Sequence, residues 1–160
     1  MNPEPTPTRY LAVDPGEKYL GLAVSDPTGR LARPLWVLPH RSHREDAAAI
    51  AQVAREVGAG AIVVGVATDV EGRPTTLQAR RAHNLARHLR RVSGLPVVLW
   101  DETGTTQAAR AVWRATGRRG RRTQRPDAAA AALLLQSYLN AQHPPPEPDR
   151  PPPEDEVPWP

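Results

Sequence analysis

The chain has 160 residues and a net charge of +4, with no cysteine, no phenylalanine and one methionine. That length suits one ordinary domain that must use most of its residues to bury a core, and the missing cysteines exclude disulfides, thiolate metal sites and cysteine nucleophiles. The sequence contains no apolar run of membrane-spanning length, and its first residues, MNPEPTPTRY, lack a basic-then-apolar leader, so a cytoplasmic protein with no membrane partner is expected.

Residues 1 to 8 hold three prolines, and residues 144 to 160 hold nine together with most of the C-terminal acids. Such compositions cannot form a packed core. A disordered arm over 1–8, one folded domain over 9–142 and a disordered acidic tail over 143–160 are therefore expected. Within the domain, Arg9 to Asp14 and Tyr19 to Ser25 read as two strands of a hairpin joined through Pro15-Gly16-Glu17-Lys18. A third strand is expected from Leu31 to Leu38. Glu45 to Val57 carries Ala49, Ile50, Val53 and Val57 at helical spacing and stops at Gly58. Ala61 to Val66 is a continuous apolar run of strand length. After a loop with Gly72 and Pro74, a helix is expected from about Thr75 to Val92, then a buried strand from Val97 to Trp100. Helices near Thr105 to Ala115 and Asp127 to Ala141 complete the body. The order β-β-β-α-β-α-β-α-α describes an α/β domain with a five-stranded mixed sheet and helices on both faces. Its core should be built of small aliphatic side chains, with the four tryptophans supplying part of the bulk.

Charge is unevenly distributed along this frame. From Ala141 onward five acids and one arginine give −4, so the preceding residues carry +8. Five arginines, Arg80, Arg81, Arg87, Arg90 and Arg91, fall in one expected helix, and Arg118, Arg119, Arg121, Arg122 and Arg125 form a second cluster. Clusters of this kind suit a polyanion partner as well as a solvated helix face. The acids fall at element ends: Asp14 closes the first strand, Asp101 and Glu102 close the last, and Asp127 opens the final helix. Sites in open α/β sheets gather beyond the carboxyl ends of parallel strands. Each acid also has a plain structural role open to it: Asp14-Pro15-Gly16 as a turn, Asp101 as a cap, Asp127 as a first-turn helix residue after Pro126. His40 and His43 stand at HxxH spacing, and His83 and His88 lie among arginines. All four are read as solvated or phosphate-facing rather than as catalytic metal ligands.

Five ordered segments carry a resemblance. Leu-Ala-Val-Asp14-Pro-Gly16-Glu-Lys-Tyr-Leu-Gly21-Leu-Ala-Val-Ser-Asp26 comes first, followed by Ile62-Val-Val-Gly65 with Glu71-Gly72 and by Leu95-Pro-Val-Val-Leu-Trp-Asp101-Glu102. Thr105-Thr106-Gln-Ala108 and the run from Asp127 through Gln136 to Leu139 close the series. Together they resemble the YqgF/RuvX family of Holliday junction resolvases, also described as pre-16S rRNA nucleases. The resemblance spans nearly all of residues 9 to 140. It implies a ribonuclease H-like fold, phosphodiester hydrolysis with Mg2+ or Mn2+, and catalytic acids at Asp14, Asp127 and one of Asp101 and Glu102. Metal ligands are then expected at Asp14, Glu102 and Asp127, and nucleic-acid contacts at Arg80, Arg81, Arg118, Arg119, Arg121, Arg122 and Arg125. The implied partner is branched DNA or structured RNA, bound by a monomer or homodimer. Two departures stand out: Thr103-Gly104 replaces the family's Arg-Leu, and Val66-Ala67 replaces its Leu-Pro. Related nucleases of this fold also carry a carboxylate on the central strand, where this sequence has Gly65, with Asp69 and Glu71 nearby.

Carboxylate oxygens suit Mg2+ and Mn2+ without imidazole, and a two-ion site can activate water on one side of a phosphodiester and stabilise the leaving oxygen on the other. Two other classes remain open. Asp14-x-Gly16-x-x-x-x-Gly21 also resembles the phosphate-binding hairpin of actin-like ATPases, although the chain is too short for their second domain. A non-catalytic RNA-binding or ribosome-assembly factor is the other alternative. The arginine reading is directly testable. Replacing Arg118, Arg119, Arg121 and Arg122 by Ala is expected to weaken binding to every nucleic acid tried and to flatten its salt dependence by up to about 0.9 in log–log slope per lost duplex phosphate contact. An unchanged slope in salt titrations would show that these side chains never meet the backbone.

Overall fold

In the first hairpin of the computed structural model, β1 (Tyr10–Pro15) turns back into β2 (Tyr19–Ser25). The Gly16 N–H donates to the Tyr19 carbonyl at 2.9 Å, and a Cβ on Gly16 would lie 2.5 Å from that same oxygen. Only glycine fits so close an approach. The structure describes residues 8–66, 77–101 and 126–143, with side chains in the last segment from Ala128 onward.

The next elements are β3 (Ala32–Pro39), α1 (His43–Val57), β4 (Ala61–Val66), α2 (Leu77–Ser93), β5 (Val97–Asp101) and α3 (Pro126–Gln142). The sheet order is β3-β2-β1-β4-β5. β1 pairs antiparallel with β2, and β2 with β3, whereas β1, β4 and β5 run parallel. This is the mixed five-stranded sheet expected from the pattern. A register shift between Leu22 and Ala23 interrupts the β2–β3 ladder.

Alternation along the strands builds two cores. Leu11, Val13, Leu20, Leu22, Ile62, Val64, Val66 and Val97 pack with Ala47, Ile50 and Ala54 of α1 and with Ala79, Ala82, Leu85, Ala86 and Leu89 of α2. On the other face, Ala12, Ala23 and Val63 meet Ala131, Ala132, Leu135, Tyr138 and Leu139 of α3, with Val98 and Trp100 alongside. Helix α1 starts at His43 because Ser42 caps it. The Ser42 hydroxyl accepts from the Glu45 N–H at 3.1 Å and donates to the Glu45 carboxylate at 3.1 Å, which satisfies a first-turn backbone donor. Gly58, in the left-handed region at φ 70°, ends the helix.

The direction of α3 follows from its C-terminal half. Gln136 accepts from the Ala32 N–H at 2.9 Å and donates to the Arg30 carbonyl at 3.0 Å. The Tyr138 ring stands edge-on to Tyr10, with centroids 5.4 Å apart. Tyr10 opens β1 and Ala32 opens β3, so α3 runs back along the sheet. Its first turn points toward the end where β1, β4 and β5 finish.

The observed elements match the expected ones to within two residues at each described boundary. Of the tryptophans expected to supply bulk, Trp100 packs half-buried against the α3-side core, whereas Trp36 is 59 % exposed on the edge strand β3; Trp113 and Trp159 lie outside the described residues. The expected helix near Thr105 to Ala115, the loop with Gly72 and Pro74, and nearly all of the two terminal segments lie outside the described residues. Among the described residues no helix is long and apolar enough to cross a membrane.

Two expectations follow. Leu135 is fully buried between α3 and the sheet, so Leu135→Ala is expected to cost about 2–5 kcal/mol in denaturant unfolding through lost burial and a residual cavity. The second concerns Asp26, whose carboxylate accepts from the N–H groups of Arg30 at 2.8 Å, Leu31 at 2.9 Å and Thr28 at 3.3 Å, and from the Thr28 hydroxyl. These bonds, that of Leu31 foremost, hold its pKa well below the usual carboxylate range. The stabilisation is present above the unfolded value of about 4 and is lost as pH falls through the depressed folded value. Asp26→Asn should therefore lower the Tm at neutral pH, with the difference from the parent protein shrinking in strong acid.

Candidate functional site

Asp14 is the fifth residue of β1, where that strand meets the β1–β2 turn. Leu11 and Val13 face α1 and α2, and Ala12 faces α3. Alternation therefore gives Asp14 the α3 side of the sheet. Its antiparallel partner is Gly21. The parallel register Val13↔Val64, continued by one residue, brings Gly65 level with it on β4. Gly65 shares the side of Val63, since Val64 and Val66 belong to the opposite core. Asp14 is thus flanked by glycine on both neighbouring strands. The glycine that stands where related nucleases have an acid is level with Asp14.

β5 ends at the same edge. Gly65 pairs with Trp100, and Val66 with Asp101. Val98 and Trp100 pack on the α3 side, whereas Val97 and Leu99 pack on the α1–α2 side. Asp101 shares the latter parity, so β5 directs it to the face opposite Asp14. The sequence left Asp101 and Glu102 as candidates for the middle ligand, and of the two Asp101 lies within the described residues. Glu102, the side chain of Asp127, and Arg118, Arg119, Arg121, Arg122 and Arg125 lie outside the described residues. Among the described residues no group of three or more His, Asp or Glu is arranged to hold a metal ion. That group could not include Glu102 or Asp127.

On the α1–α2 side of the same edge lies a small surface depression open to solvent. Its lining includes Pro15, Gly16, His40, His43, Asp46 and Arg81. Of the two α2 arginines expected to meet nucleic acid, Arg81 borders this depression and is half-buried, while Arg80 is exposed. His40 is tied to the hairpin by its N–H, which donates to the Lys18 carbonyl at 2.9 Å. Its Nδ1 lies 2.5 Å from Oδ2 of Asp46, a carboxylate only 3 % exposed. The other oxygen, Oδ1, accepts from the Arg41 N–H at 3.0 Å. Ring centroids of His40 and His43 are 6.0 Å apart, and His43 stacks on His88 of α2 at 6.4 Å. Burial pushes the His43 pKa below its ordinary value, followed by the neighbouring His40. Asp46 opposes that shift, and His88 and Arg81 reinforce it.

Of the two expectations for His40, His43 and His88, solvated or phosphate-facing, the structure narrows the first: they form a connected, partly buried group, and the buried acid at its centre was missed. Asp46 follows Glu45 in the first turn of α1, where acids ordinarily complement the helix dipole in solvent. Its place on the inner face, one residue before buried Ala47, was the available signal.

Comparison with known proteins agrees with the fold. A family model described as RuvX, Holliday junction resolvase, matches residues 8–141. A protein of Anaeromyxobacter sp. (strain Fw109-5), named "Putative pre-16S rRNA nuclease", is 40% identical over 136 residues, covering 84% of this chain and 98% of the relative. A relative of the same name from Thermoanaerobacter pseudethanolicus is 34% identical over 84% of this chain and 97% of its own. Among solved structures, T. thermophilus RuvC in complex with Holliday junction substrate is similar at a TM-score of 0.57 and 18% identity, covering 85% of this chain and 96% of that one. The fowlpox virus Holliday junction resolvase is similar at a TM-score of 0.52 and 13% identity, over 83% and 99%. At these identities the structural likeness establishes the ribonuclease H-like fold. Matched by the family model along nearly its whole folded body, the chain belongs to the RuvX family of Holliday junction resolvases.

Proposed function

We propose that the chain is a divalent-metal-dependent nuclease that hydrolyses phosphodiester bonds in branched DNA or in precursor 16S ribosomal RNA. Family membership supports the nuclease activity, and the names of the relatives supply the two substrate classes. The observation that carries the metal reading is the setting of Asp14. It is a carboxylate at the end of a central strand, with Gly21 and Gly65 on either side and the first turn of α3 directed to the same end and face.

Asp14, Glu102 and Asp127 would hold the ions. The alternation of β5 turns Asp101 away from the side that Asp14 takes, which favours Glu102 as the middle ligand. Asp127 stands in the first turn of α3. An all-oxygen donor set fits Mg2+ or Mn2+. When bound, such ions supply an activated water and charge compensation for the leaving oxygen. The chain's own contributions are positional. β1 is hydrogen-bonded on both sides, so Asp14 is held rigidly, and the arginines of α2 and of residues 118–125 would bind the backbone and align the strand without reading its sequence.

Asp14→Asn and Asp127→Asn are each expected to abolish cleavage, a loss of roughly a hundredfold or more, while binding without metal is largely kept. Glu102→Gln should be far more damaging than Asp101→Asn. Assays with Mg2+ and Mn2+ on four-way junction DNA, single-stranded DNA and precursor 16S RNA side by side would check both points and rank the substrates. Near-parental activity of Asp127→Asn would leave that residue as a helix-start acid only. Binding without cleavage on every substrate would make the protein a nucleic-acid-binding factor.

A further inference from the structure

The depression at the β1–β2 turn is bordered by a guanidinium and two imidazoles from three separate parts of the chain. His40 comes from the segment before α1, His43 from the first turn of α1 and Arg81 from α2, and His88 of α2 stacks on His43. The one acid among them, Asp46, has both oxygens engaged, by His40 Nδ1 and by the Arg41 N–H. It is therefore compensated within the protein and does not serve as a counter-charge for Arg81. The half-buried Arg81 guanidinium and the neighbouring imidazoles are the complement of an oxyanion. Pro15 and Gly16 border the depression, directly after Asp14 in the chain, so it flanks the proposed cleavage edge from the opposite face of the sheet.

We infer that this pocket is a phosphate-binding subsite, in which Arg81 and His43 hold one phosphate of the nucleic-acid strand away from the bond being cut. The inference rests on the nucleic-acid reading above and adds a defined anchor to it. A strand seated at the Asp14 edge would be gripped a short distance along its backbone as it passes over the hairpin. The grip fixes where along the strand the scissile bond falls, and it carries no base information. Among the groups facing His43, the oxyanion joins Asp46 in opposing burial, His40, His88 and Arg81, so binding draws a proton onto the ring. Affinity should therefore rise as pH falls from 7.5 to 5.5.

The test uses the full chain in chelator, so that binding is read without cleavage. Fluorescent single-stranded oligonucleotides carry a neutral methylphosphonate at one linkage at a time, with or without a 5′-phosphate. For the parent protein, neutralising one particular linkage should weaken binding by roughly tenfold. Arg81→Gln and His43→Gln should each lower affinity for the unmodified strand by a similar factor and become insensitive to that linkage, while Arg81→Lys restores part of the sensitivity. If removal of the 5′-phosphate gives this pattern instead, the subsite holds a strand terminus. The parent's gain in affinity at low pH should shrink in His43→Gln. Both Gln variants alter half-exposed side chains, and circular dichroism verifies that they fold. Equal sensitivity to every modification in the parent and in Arg81→Gln overturns the subsite, as does an unchanged pH profile in His43→Gln. Cleavage of the unmodified strand with Mg2+ is measured on the same preparations. Cleaving protein without a linkage-specific loss removes the subsite and leaves the nuclease reading intact, and the reverse result does the opposite.

Discussion

The placement of every candidate residue depends on β1 being buried on both faces. Leu11 and Val13 are locked into the α1–α2 core while Ala12 is locked into the α3 core, and β2 and β4 fix the strand laterally. A slip of one residue would exchange the two sets. Leucine and valine would be driven against the alanines of α3, and Asp14 would be turned toward the aliphatic layer under α1 and α2. A carboxylate there would lack water and partners, a far larger penalty than any gain in pairing. The direction of Asp14 is thus set by the apolar residues before it.

The two cores are unequal, and the inequality has a use. Large aliphatics fill the α1–α2 side, whereas Ala12, Ala23 and Val63 meet Ala131 and Ala132 on the α3 side. Small residues on both partners let α3 lie close to the sheet. Aromatic rings pack around the C-terminal half of the helix. Tyr138 stands edge-on to both Tyr10 and Trp100, with the Trp100 centroid at 5.2 Å, and the Trp100 indole N–H donates to the Ser137 hydroxyl at 3.2 Å. Trp100 is the residue before Asp101, so this contact also pins the end of β5.

Much of this frame was legible in the sequence because each element has its own period and its own stop. Ala61 to Val66 is a short apolar run flanked by Gly60, and Glu45 to Val57 keeps helical spacing up to Gly58. The faces were less legible. Val97-Val98-Leu99-Trp100 is apolar at every position, since both sides of β5 are covered, so the pattern gives no parity by which to separate Asp101 from Glu102. Which core receives Leu99 and which receives Trp100 gives the side of Asp101. Gly21 and Gly65 read as hairpin and family features, and their common position beside Asp14 appears only with the register. The histidine cluster is a tertiary product of α1 packing on α2. His43 and His88 come from helices separated by a strand, and the exposure of Trp36 likewise reflects its place on the edge strand.

The same hairpin also explains why cationic and anionic chemistry can coexist at one end of so small a domain. Were Arg81 and the imidazoles on the face of Asp14, the nearest acid would become their partner. The ion pair would then compete both with a bound cation and with a phosphate. The sheet prevents this pairing. Alternation sends Asp14 to one side, while Pro15 and Gly16 carry the chain over the edge to border the pocket on the other. Asp46 supplies the acid that the histidines need on their own side and uses both of its oxygens in doing so. In the proposed binding mode a polyanion crossing the hairpin would meet the Arg81 guanidinium on one face and the Asp14 carboxylate, flanked by Gly21 and Gly65, on the next, an arrangement that the intervening backbone keeps from neutralising itself.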